Sequence, residues 1–282
     1  MKNDESSMAE DAAKEKAPEG SSGVDRRRFL KLALMSGAGL AAAAAVAKFA
    51  TASEAGWDQE APPEAGRRGR DWVMVIDLEK CDGCKECTYA CQKTHSLPEG
   101  QEWIKVYSVE GENGSSYFLP RPCMQCEKAP CTSVCPVAAT FTRDDGIVII
   151  DADKCIGCRY CMAACPYNAR YFNWGGTPEL TPEQRAIYDP EMPVVHRRGT
   201  TAKCVFCAKW AREGKLPACS SGCPMGAIYF GDRGEDAVTN RDGETLRLSK
   251  LLRERSAFRW KEELGTEPRV FYLPPKGGSG GG

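Results

Sequence analysis

The stretch CIGCRYCMAACP, residues 155–166, places four cysteines within eleven positions and a proline directly after the last of them. Two residues separate Cys155 from Cys158 and Cys158 from Cys161, and three more lead to Cys165. A disulfide joins only two thiols, and a structural zinc ion commonly takes its thiolates as two separated pairs. The stretch therefore indicates a group that takes several thiolates from one short loop.

The remaining cysteines follow the same grouping. All 16 cysteines of the 282-residue chain fall into four quartets, and none is left over. The quartets are Cys81, Cys84, Cys87 and Cys91; Cys123, Cys126, Cys131 and Cys135; Cys155, Cys158, Cys161 and Cys165; and Cys204, Cys207, Cys219 and Cys223. The spacing of the third quartet is the one in which bacterial ferredoxins bind iron–sulfur clusters. Sixteen thiolates, at four for each cubane, predict four [4Fe–4S] clusters as cofactors.

Two other uses of clustered cysteines fit less well. Disulfide frameworks are usual in exported domains far shorter than this chain, and the cysteines here are bunched rather than spread. Zinc fits best at the fourth quartet, where Cys204 and Cys207 form one pair and Cys219 and Cys223 form another. A zinc-binding structural module therefore stays as an alternative to the iron–sulfur interpretation.

The composition argues against several classes of function. With 38 basic and 39 acidic residues the chain has almost no net charge, so no nucleic acid partner is expected. Its two histidines, His95 and His196, are too few for histidine-based metal chemistry. The sequence shows neither a nucleotide-binding loop nor a nucleophile–base set. We therefore expect no nucleotide cofactor and no catalytic residues.

The N-terminal segment has the features of an export signal. Residues 25–31 read DRRRFLK, in which Arg26 and Arg27 fit the twin-arginine pattern R-R-x-F-L-K. An Ala-rich apolar stretch follows, and small residues at 50–52 offer a cleavage site. We therefore expect residues 1–52 to be a twin-arginine signal peptide that exports the folded, cofactor-loaded chain to the periplasm or the extracytoplasmic face of the membrane. The apolar stretch is short for a transmembrane helix, and an uncleaved anchor stays as an alternative.

Repeats along the rest of the chain predict its fold class. WVMVIDLEKC (72–81) and GIVIIDADKC (146–155) share an apolar run, an Asp and a Lys-Cys pair. The motif Cys-Pro-x-x-Ala ends the second, third and fourth quartets, each time with a strand-like run behind it. These features predict an α+β fold of four bacterial-ferredoxin-like half-modules with short helical insertions. Each half-module is a strand, a cysteine loop, a short helix and a second strand.

Several local features carry further predictions. The run Asp-Asp-Gly at 144–146 predicts a hairpin turn. The run Thr181-Pro182-Glu183 predicts a capped helix start, and spaced leucines over 245–264 predict an amphipathic helix packed on the domain. The polar, Pro- and Gly-rich residues 53–71 predict a flexible tether, and residues 274–282 predict a flexible Gly-rich tail.

The residue before the second cysteine differs among the quartets. It is Gly83 in the first and Gly157 in the third, where a tight turn that aims N–H groups at a cluster needs a positive φ. Gln125 and Phe206 occupy this position in the second and fourth quartets. We therefore expect those two loops to differ in detail from the glycine-containing ones.

Two longer motifs relate the chain to a known family. CMQCEKAPCTSVCP (123–136) and CVFCAKWAREGKLPACSSGCP (204–224) give the second quartet the spacing two, four, three and the fourth the spacing two, eleven, three. With the two ferredoxin-like runs, this order resembles the four-cluster electron-transfer subunit of molybdopterin oxidoreductases, over roughly residues 72–273. Examples are the dimethyl sulfoxide, polysulfide, tetrathionate and nitrite reductase systems.

That resemblance implies an electron relay with no catalytic site of its own. The relay joins a molybdopterin-type catalytic subunit to a membrane quinone subunit, which are the partners we expect. A self-contained exported polyferredoxin that shuttles electrons between partners stays as an alternative. The two differ in whether another chain accompanies this one during purification.

The ligand sets follow from ferredoxin chemistry and from the same resemblance. In two-cluster ferredoxins the fourth cysteine of a run binds the other cluster, so modules work in pairs. The short separation of the second and third quartets predicts one pair over residues 123–199. The first and fourth quartets are left to form a pair around it, over 72–122 and 200–273, as the resemblance also implies. The expected sets are Cys81, Cys84, Cys87 and Cys223; Cys123, Cys126, Cys131 and Cys165; Cys135, Cys155, Cys158 and Cys161; and Cys91, Cys204, Cys207 and Cys219.

Overall fold

The structure, a computed structural model, describes residues 69–110, 116–175 and 196–275. The expected signal peptide, most of the tether and of the tail, and the helix start at Thr181 lie outside the described residues. Over the three described ranges, no helix is long and apolar enough to span a membrane. Short helices and small sheets make up this part of the chain, which confirms the α+β class.

The elements follow one another closely along the described ranges. The strands are β1 (Trp72–Asp77), β2 (Lys105–Glu110), β3 (Ser116–Arg121), β4 (Thr140–Thr142), β5 (Val148–Ile150), β6 (Tyr171–Phe172), β7 (Thr201–Ala202), β8 (Ile228–Asp232), β9 (Ala237–Thr239), β10 (Thr245–Arg247) and β11 (Val270–Leu273). The helices are α1 (Glu86–His95), α2 (Pro130–Ser133), α3 (Tyr160–Ala163), α4 (Ala208–Arg212), α5 (Ala218–Ser221) and α6 (Leu248–Glu254), followed by a 3-10 turn at Glu262–Leu264.

A five-stranded sheet is built around β1. Its strand order is β10-β9-β8-β1-β11, with β1 antiparallel to β8 and parallel to β11. Met74 and Ile76 pack into the larger hydrophobic cluster, whereas Val73 and Val75 pack into a smaller one with Leu248. Because both faces of β1 are covered, its sequence is a continuous apolar run rather than an alternating one. Burial of each such side chain contributes about 1.5–3 kcal/mol.

The pairing of β1 with β8 joins two distant parts of the sequence. Strand β1 leads into the first quartet, and β8 follows the fourth, with Met74 opposite Phe230. Helices α1 and α5, which carry cysteines of these same two quartets, also contact each other. The first and fourth quartets therefore share one sheet and one helix pair.

The smaller sheets are two-stranded and antiparallel. Strands β4 and β5 pair across the predicted turn, where Gly146 has a φ of 78°, so that prediction is confirmed. Strands β2 and β3 form a longer pair that the sequence analysis did not predict. Strand β6 pairs with β7, which leads into the fourth quartet.

The helices within the quartets differ in length. Helices α2, α3 and α5 have four residues each and end before a Cys-Pro pair. Helix α1 has ten residues, because Cys91 is followed by Gln92 and not by a proline. Proline lacks the N–H that a helix interior needs and its ring clashes with the preceding turn. The helix of the first quartet therefore continues for one turn beyond its last cysteine.

The predicted helix over 245–264 is wrong in extent, since β10 and α6 divide the segment. At its start, Leu246 pairs in the sheet opposite Val238 instead of starting a helix. After α6, Ser256 adopts a positive φ of 48°, which a right-handed helix does not accommodate. The predicted packing is confirmed, because Leu248 is buried in the smaller hydrophobic cluster.

Candidate functional site

Each quartet opens with a Cys-x-x-Cys turn whose third residue has a left-handed conformation. Its φ is 80° at Gly83, 46° at Gln125, 69° at Gly157 and 51° at Phe206. This conformation turns the backbone N–H toward the sulfur of the first cysteine, as shown by Phe206 N, 3.4 Å from Cys204 Sγ. N–H groups arranged in this way stabilise negative charge on the sulfur.

Gln125 and Phe206 adopt the glycine-like backbone because their side chains are fixed in the core. Gln125 is fully buried; its Nε2 donates to the Cys204 carbonyl at 2.7 Å, and its Oε1 accepts from Val148 N at 2.8 Å. Phe206 packs edge-on against Phe230, with ring centroids 5.5 Å apart. A left-handed residue other than glycine costs about 1–3 kcal/mol, which these contacts offset. The prediction that the loops differ is therefore wrong for their backbone conformation. The loops differ in the side chains that hold this conformation.

Two cavities are lined by thiols from two different quartets. One surface cavity is lined by the thiols of Cys135, Cys155, Cys158 and Cys161. A second is lined by those of Cys123, Cys126, Cys131 and Cys165. Each cavity thus combines three cysteines of one quartet with the last cysteine of the other. The charged side chains that line them are arginines, Arg159 and Arg170.

A third set of thiols combines the first quartet with the end of the fourth. Burial raises the pKa of Cys81, Cys84 and Cys87, and charge repulsion from Cys223 adds to the rise at all three. The Gly83 N–H acts in the opposite direction at Cys81, because it donates a hydrogen bond to the sulfur. The four thiols therefore lie close enough to repel one another as thiolates.

The fourth set combines the end of the first quartet with the rest of the fourth. Burial raises the pKa of Cys91 and Cys219 well above that of a free thiol, and charge repulsion from Cys204 and Cys207 adds to the rise at both. The Ala218 N–H donates to Cys207 Sγ across 3.4 Å. In all four sets, the structure brings together the cysteines that the sequence analysis grouped.

The chemistry of these sets fits a multi-iron cluster. Burial raises the pKa of Cys87, Cys126 and Cys207 to about 12, so these sulfurs become thiolates only when a metal displaces their protons. Sets of soft thiolates are typical of iron–sulfur and zinc sites. Within the described residues, no three Cys, His, Asp or Glu side chains are placed to share a single metal ion.

Two buried polar residues that the sequence analysis missed also contact thiols. Burial lowers the pKa of Arg170, but the charges of Cys131 and Cys161 raise it more, so the net shift is upward. Since these two cysteines line different cavities, Arg170 lies between them. Thr201 Oγ1 lies 3.7 Å from Cys155 Sγ and 3.6 Å from Cys161 Sγ. Arg170 directly follows a Cys-Pro-x-x-Ala motif, which could have marked it, whereas no sequence pattern marks Thr201.

Comparison with known protein families gives two matches to 4Fe-4S dicluster domains, over residues 115–178 and 147–224. The chain is 44% identical over 216 residues to a selenate reductase subunit of Mesobacillus selenatarsenatis, covering 72% of this chain and 71% of that protein. It is 38% identical to the menaquinone reductase iron–sulfur cluster-binding subunit of Nitratidesulfovibrio vulgaris, covering 72% and 88% of the two chains. It is 36% identical to a tetrathionate reductase subunit of Salmonella typhimurium, covering 72% of each.

Proposed function

The chain belongs to the family of iron–sulfur subunits of multi-subunit reductases, and on that basis we propose that it relays single electrons through four [4Fe–4S] clusters. Members of this family are electron-transfer subunits, with catalysis in another subunit. The proposed ligands are Cys81, Cys84, Cys87 and Cys223 for cluster 1; Cys123, Cys126, Cys131 and Cys165 for cluster 2; Cys135, Cys155, Cys158 and Cys161 for cluster 3; and Cys91, Cys204, Cys207 and Cys219 for cluster 4.

The proposed architecture is two ferredoxin-like pairs, with the pair over residues 123–199 inserted within the pair over 72–122 and 200–273. The mixed lining of the two cavities supports the inserted pair, since each cavity takes its last cysteine from the other quartet. The pairing of β1 with β8 and the contact of α1 with α5 support the outer pair. This exchange of the fourth cysteine is the ligation pattern of two-cluster ferredoxins.

Charge interactions between the sets support an order for the clusters. Besides burial, the charge of Cys87 in cluster 1 raises the pKa of Cys91 in cluster 4. In the same way, the charge of Cys123 in cluster 2 raises the pKa of Cys204 in cluster 4. Arg170 lies between the thiols of clusters 2 and 3. These charge interactions support a line of clusters in the order 1–4–2–3.

The two ends of this line reach the surface, and this is the observation that carries the proposed function. All 16 cysteines lie in the described ranges, and of these only Cys84 in cluster 1 and Cys158 in cluster 3 are exposed. Ile156, which is 63% exposed, lies beside Cys158 in the lining of the cavity that is assigned to cluster 3. Clusters held by these sets would let an electron enter at one end, pass through clusters 4 and 2, and leave at the other.

The protein contributes the environment, and the clusters contribute the redox chemistry. When bound, a [4Fe–4S] cluster takes up and releases one electron at a potential set by hydrogen bonds, charge and solvent exposure. Thiolates hold it, backbone N–H groups such as that of Ala139, 3.2 Å from Cys135 Sγ, donate to the sulfur, and apolar side chains exclude water.

We further propose a molybdopterin-type catalytic subunit and a membrane quinone subunit as partners at the two ends of the line. The names of relatives support this, since one is a subunit of a menaquinone reductase and another of a tetrathionate reductase. The DRRRFLK motif supports export by the twin-arginine route to the extracytoplasmic side. Replacement of Arg26 and Arg27 by lysine should retain the chain in the cytoplasm when no partner is co-expressed. Normal export of that variant would contradict the localisation.

Metal content tests the number of clusters. Anaerobically purified protein should contain about sixteen iron and sixteen acid-labile sulfide per chain, at four of each per cluster. Zinc in place of iron would support the zinc module instead.

Paired cysteine variants test the ligand sets. Cys91→Ser and Cys204→Ser should lose the same EPR signal, because both residues are assigned to cluster 4. Cys84→Ser serves as the matched control and should lose a different signal, that of cluster 1. Loss of the Cys84 signal in Cys91→Ser would show that the first quartet binds one cluster by itself and would reject the pairing.

A further inference from the structure

Both histidines of the chain lie at one place, although 100 residues separate them in the sequence. The ring of Trp103 lies between them, with its centroid 5.1 Å from that of His95 and 5.6 Å from that of His196. His196 is 1% exposed and its Nε2 lies 2.8 Å from the His95 carbonyl oxygen. Because a carbonyl only accepts, His196 is the donor in this bond. The buried Trp103 and His196 thus fix the end of helix α1 and the ring that it carries.

The His95 ring contacts a cysteine assigned to cluster 4. Its Nε2 lies 3.1 Å from Cys207 Sγ. In the metal-free thiol either atom could donate the hydrogen. Iron binding removes the thiol proton, so the only hydrogen bond left to this pair is Nε2–H to sulfur, which fixes the proton of the neutral ring on Nε2.

The sequence feature that places His95 is the missing proline after Cys91. Since Gln92 lets α1 continue, His95 lies four residues beyond Cys91 and on the same face of the helix. The other three quartets have a proline directly after their last cysteine, and their helices end before it. Because the proline is missing, Cys91 and His95 both lie against the loop that carries Cys204 and Cys207.

We propose that the Nε2–H of His95 donates a hydrogen bond to the Cys207 sulfur and thereby raises the reduction potential of cluster 4. The inference rests on the proposed function, since it assumes that Cys207 is a ligand of a cluster shared with Cys91. Reduction adds negative charge to the cluster and its sulfurs, so a donor to sulfur stabilises the reduced state more than the oxidised one. The ring keeps its proton, and one electron enters without proton transfer from His95.

Potentiometric EPR of His95→Phe and His95→Gln tests the proposal. Phenylalanine fills the site without an N–H group, whereas the glutamine amide retains a donor. In His95→Phe we expect the reduction equilibrium of one cluster to fall about tenfold, which is about 59 mV for one electron. That cluster should be the one lost in Cys204→Ser, and His95→Gln should restore most of the potential. Unchanged potentials in His95→Phe, with all signals present, would overturn the proposal.

A second measurement applies to the unmutated protein and does not depend on the stability of a variant. With only two histidines in the chain, ring-¹⁵N histidine labels both rings at once. We expect a ¹⁵N hyperfine coupling on the EPR signal of cluster 4, lost in His95→Gln and retained in His196→Gln. Absence of coupling on every cluster signal would overturn the proposal, as would loss in His196→Gln alone.

The two possible failures are distinguishable. If Cys91→Ser and Cys204→Ser lose different signals, the ligand sets of the proposed function are wrong, whatever the histidine label shows. If those variants lose the same signal and that signal carries no ¹⁵N coupling, the electron relay stands and only the role of His95 is wrong.

Discussion

The two glycine loops, residues 81–84 and 155–158, and the two core-anchored loops, residues 123–126 and 204–207, reach the same backbone conformation by different means. In the glycine loops the second cysteine is exposed and the left-handed residue has no side chain that could anchor it in the core. In the core-anchored loops a buried side chain holds it, and the second cysteine is partly or fully buried. The difference indicates that the exposure of a loop decides how its turn is stabilised. The two exposed loops use glycine, and the two more buried ones use packing and hydrogen bonds.

Glycine in the surface loops also answers a lack of space. A Cβ on Gly157 would lie 2.1 Å from the carbonyl oxygen of Gly199, and one on Gly83 would lie 2.5 Å from the Phe118 ring. The first obstacle is backbone, and the second is a side chain that can rotate. The two glycine loops are therefore not equivalent, and the third quartet is the less tolerant one.

The largest loss of stability is expected from Gly157→Ala, which replaces the glycine of a glycine loop. The added methyl group meets a backbone oxygen, and a φ of 69° is unfavourable for alanine. We expect a loss of more than about 3 kcal/mol, from the steric clash and the strained backbone together. The measurements are Tm, which should fall by roughly 6–12 °C, and the EPR signal of cluster 3, which should be lost or reduced.

Gly243→Ala is the matched control for that variant. Its φ is 77°, but no atom lies within 4 Å of the added Cβ, so only conformational strain remains. A cost of about 1 kcal/mol and four unchanged cluster signals are expected. If Gly243→Ala destabilises the protein as much as Gly157→Ala, the close approach to Gly199 is not the reason for the glycine.

A smaller effect is expected from Gln125→Gly, which gives a core-anchored loop the residue of a surface loop. Glycine removes the backbone strain but leaves the buried Val148 N–H without its partner, whereas the Cys204 carbonyl still accepts from Lys203 Nζ at 2.8 Å. The unsatisfied N–H costs about 1–3 kcal/mol, and relief of strain returns part of it. We expect a net loss of about 1 kcal/mol in the free energy of unfolding, measured by thermal denaturation. A more stable protein would show that φ alone decides the residue and that the comparison of loops is wrong.

The sequence predicts the structural features that depend on residues close to one another in the chain. The spacing of cysteines, the apolar run of β1 and the turn at Gly146 are local, and each is found in the structure. The conformation of Gln125 could not be predicted, because it depends on Val148 and on the Cys204 carbonyl, 23 and 79 residues away. The contact of His95 with Cys207 could not be predicted for the same reason, because the two residues are 112 positions apart.

One missed element did have a local signal. Asn113-Gly114, between the runs that form β2 and β3, is a dipeptide typical of tight hairpins. The prediction of one helix over 245–264 is wrong for the opposite reason, because its local signal was present but misleading. Its spaced leucines satisfy a helical pattern, but Leu246 pairs with a strand that the local sequence does not reveal. Local patterns therefore predict the cysteine loops better than the elements around them.

The smallest effect is expected from Thr201→Val, which compares a hydrogen bond at a surface cluster with that of His95 at a buried one. Once iron occupies Cys155 and Cys161, only the Thr201 hydroxyl can donate, and its single hydrogen serves two sulfurs at 3.7 and 3.6 Å. Valine has the same shape without the donor, so the potential of cluster 3 should fall. Water near the exposed Cys158 compensates in part, and we expect less than the tenfold change, about 59 mV, that is expected for His95→Phe. Potentiometric EPR measures both variants in the same protein background, with the other clusters as internal controls. A larger shift for Thr201→Val than for His95→Phe would show that burial does not strengthen hydrogen bonds to sulfur in this chain.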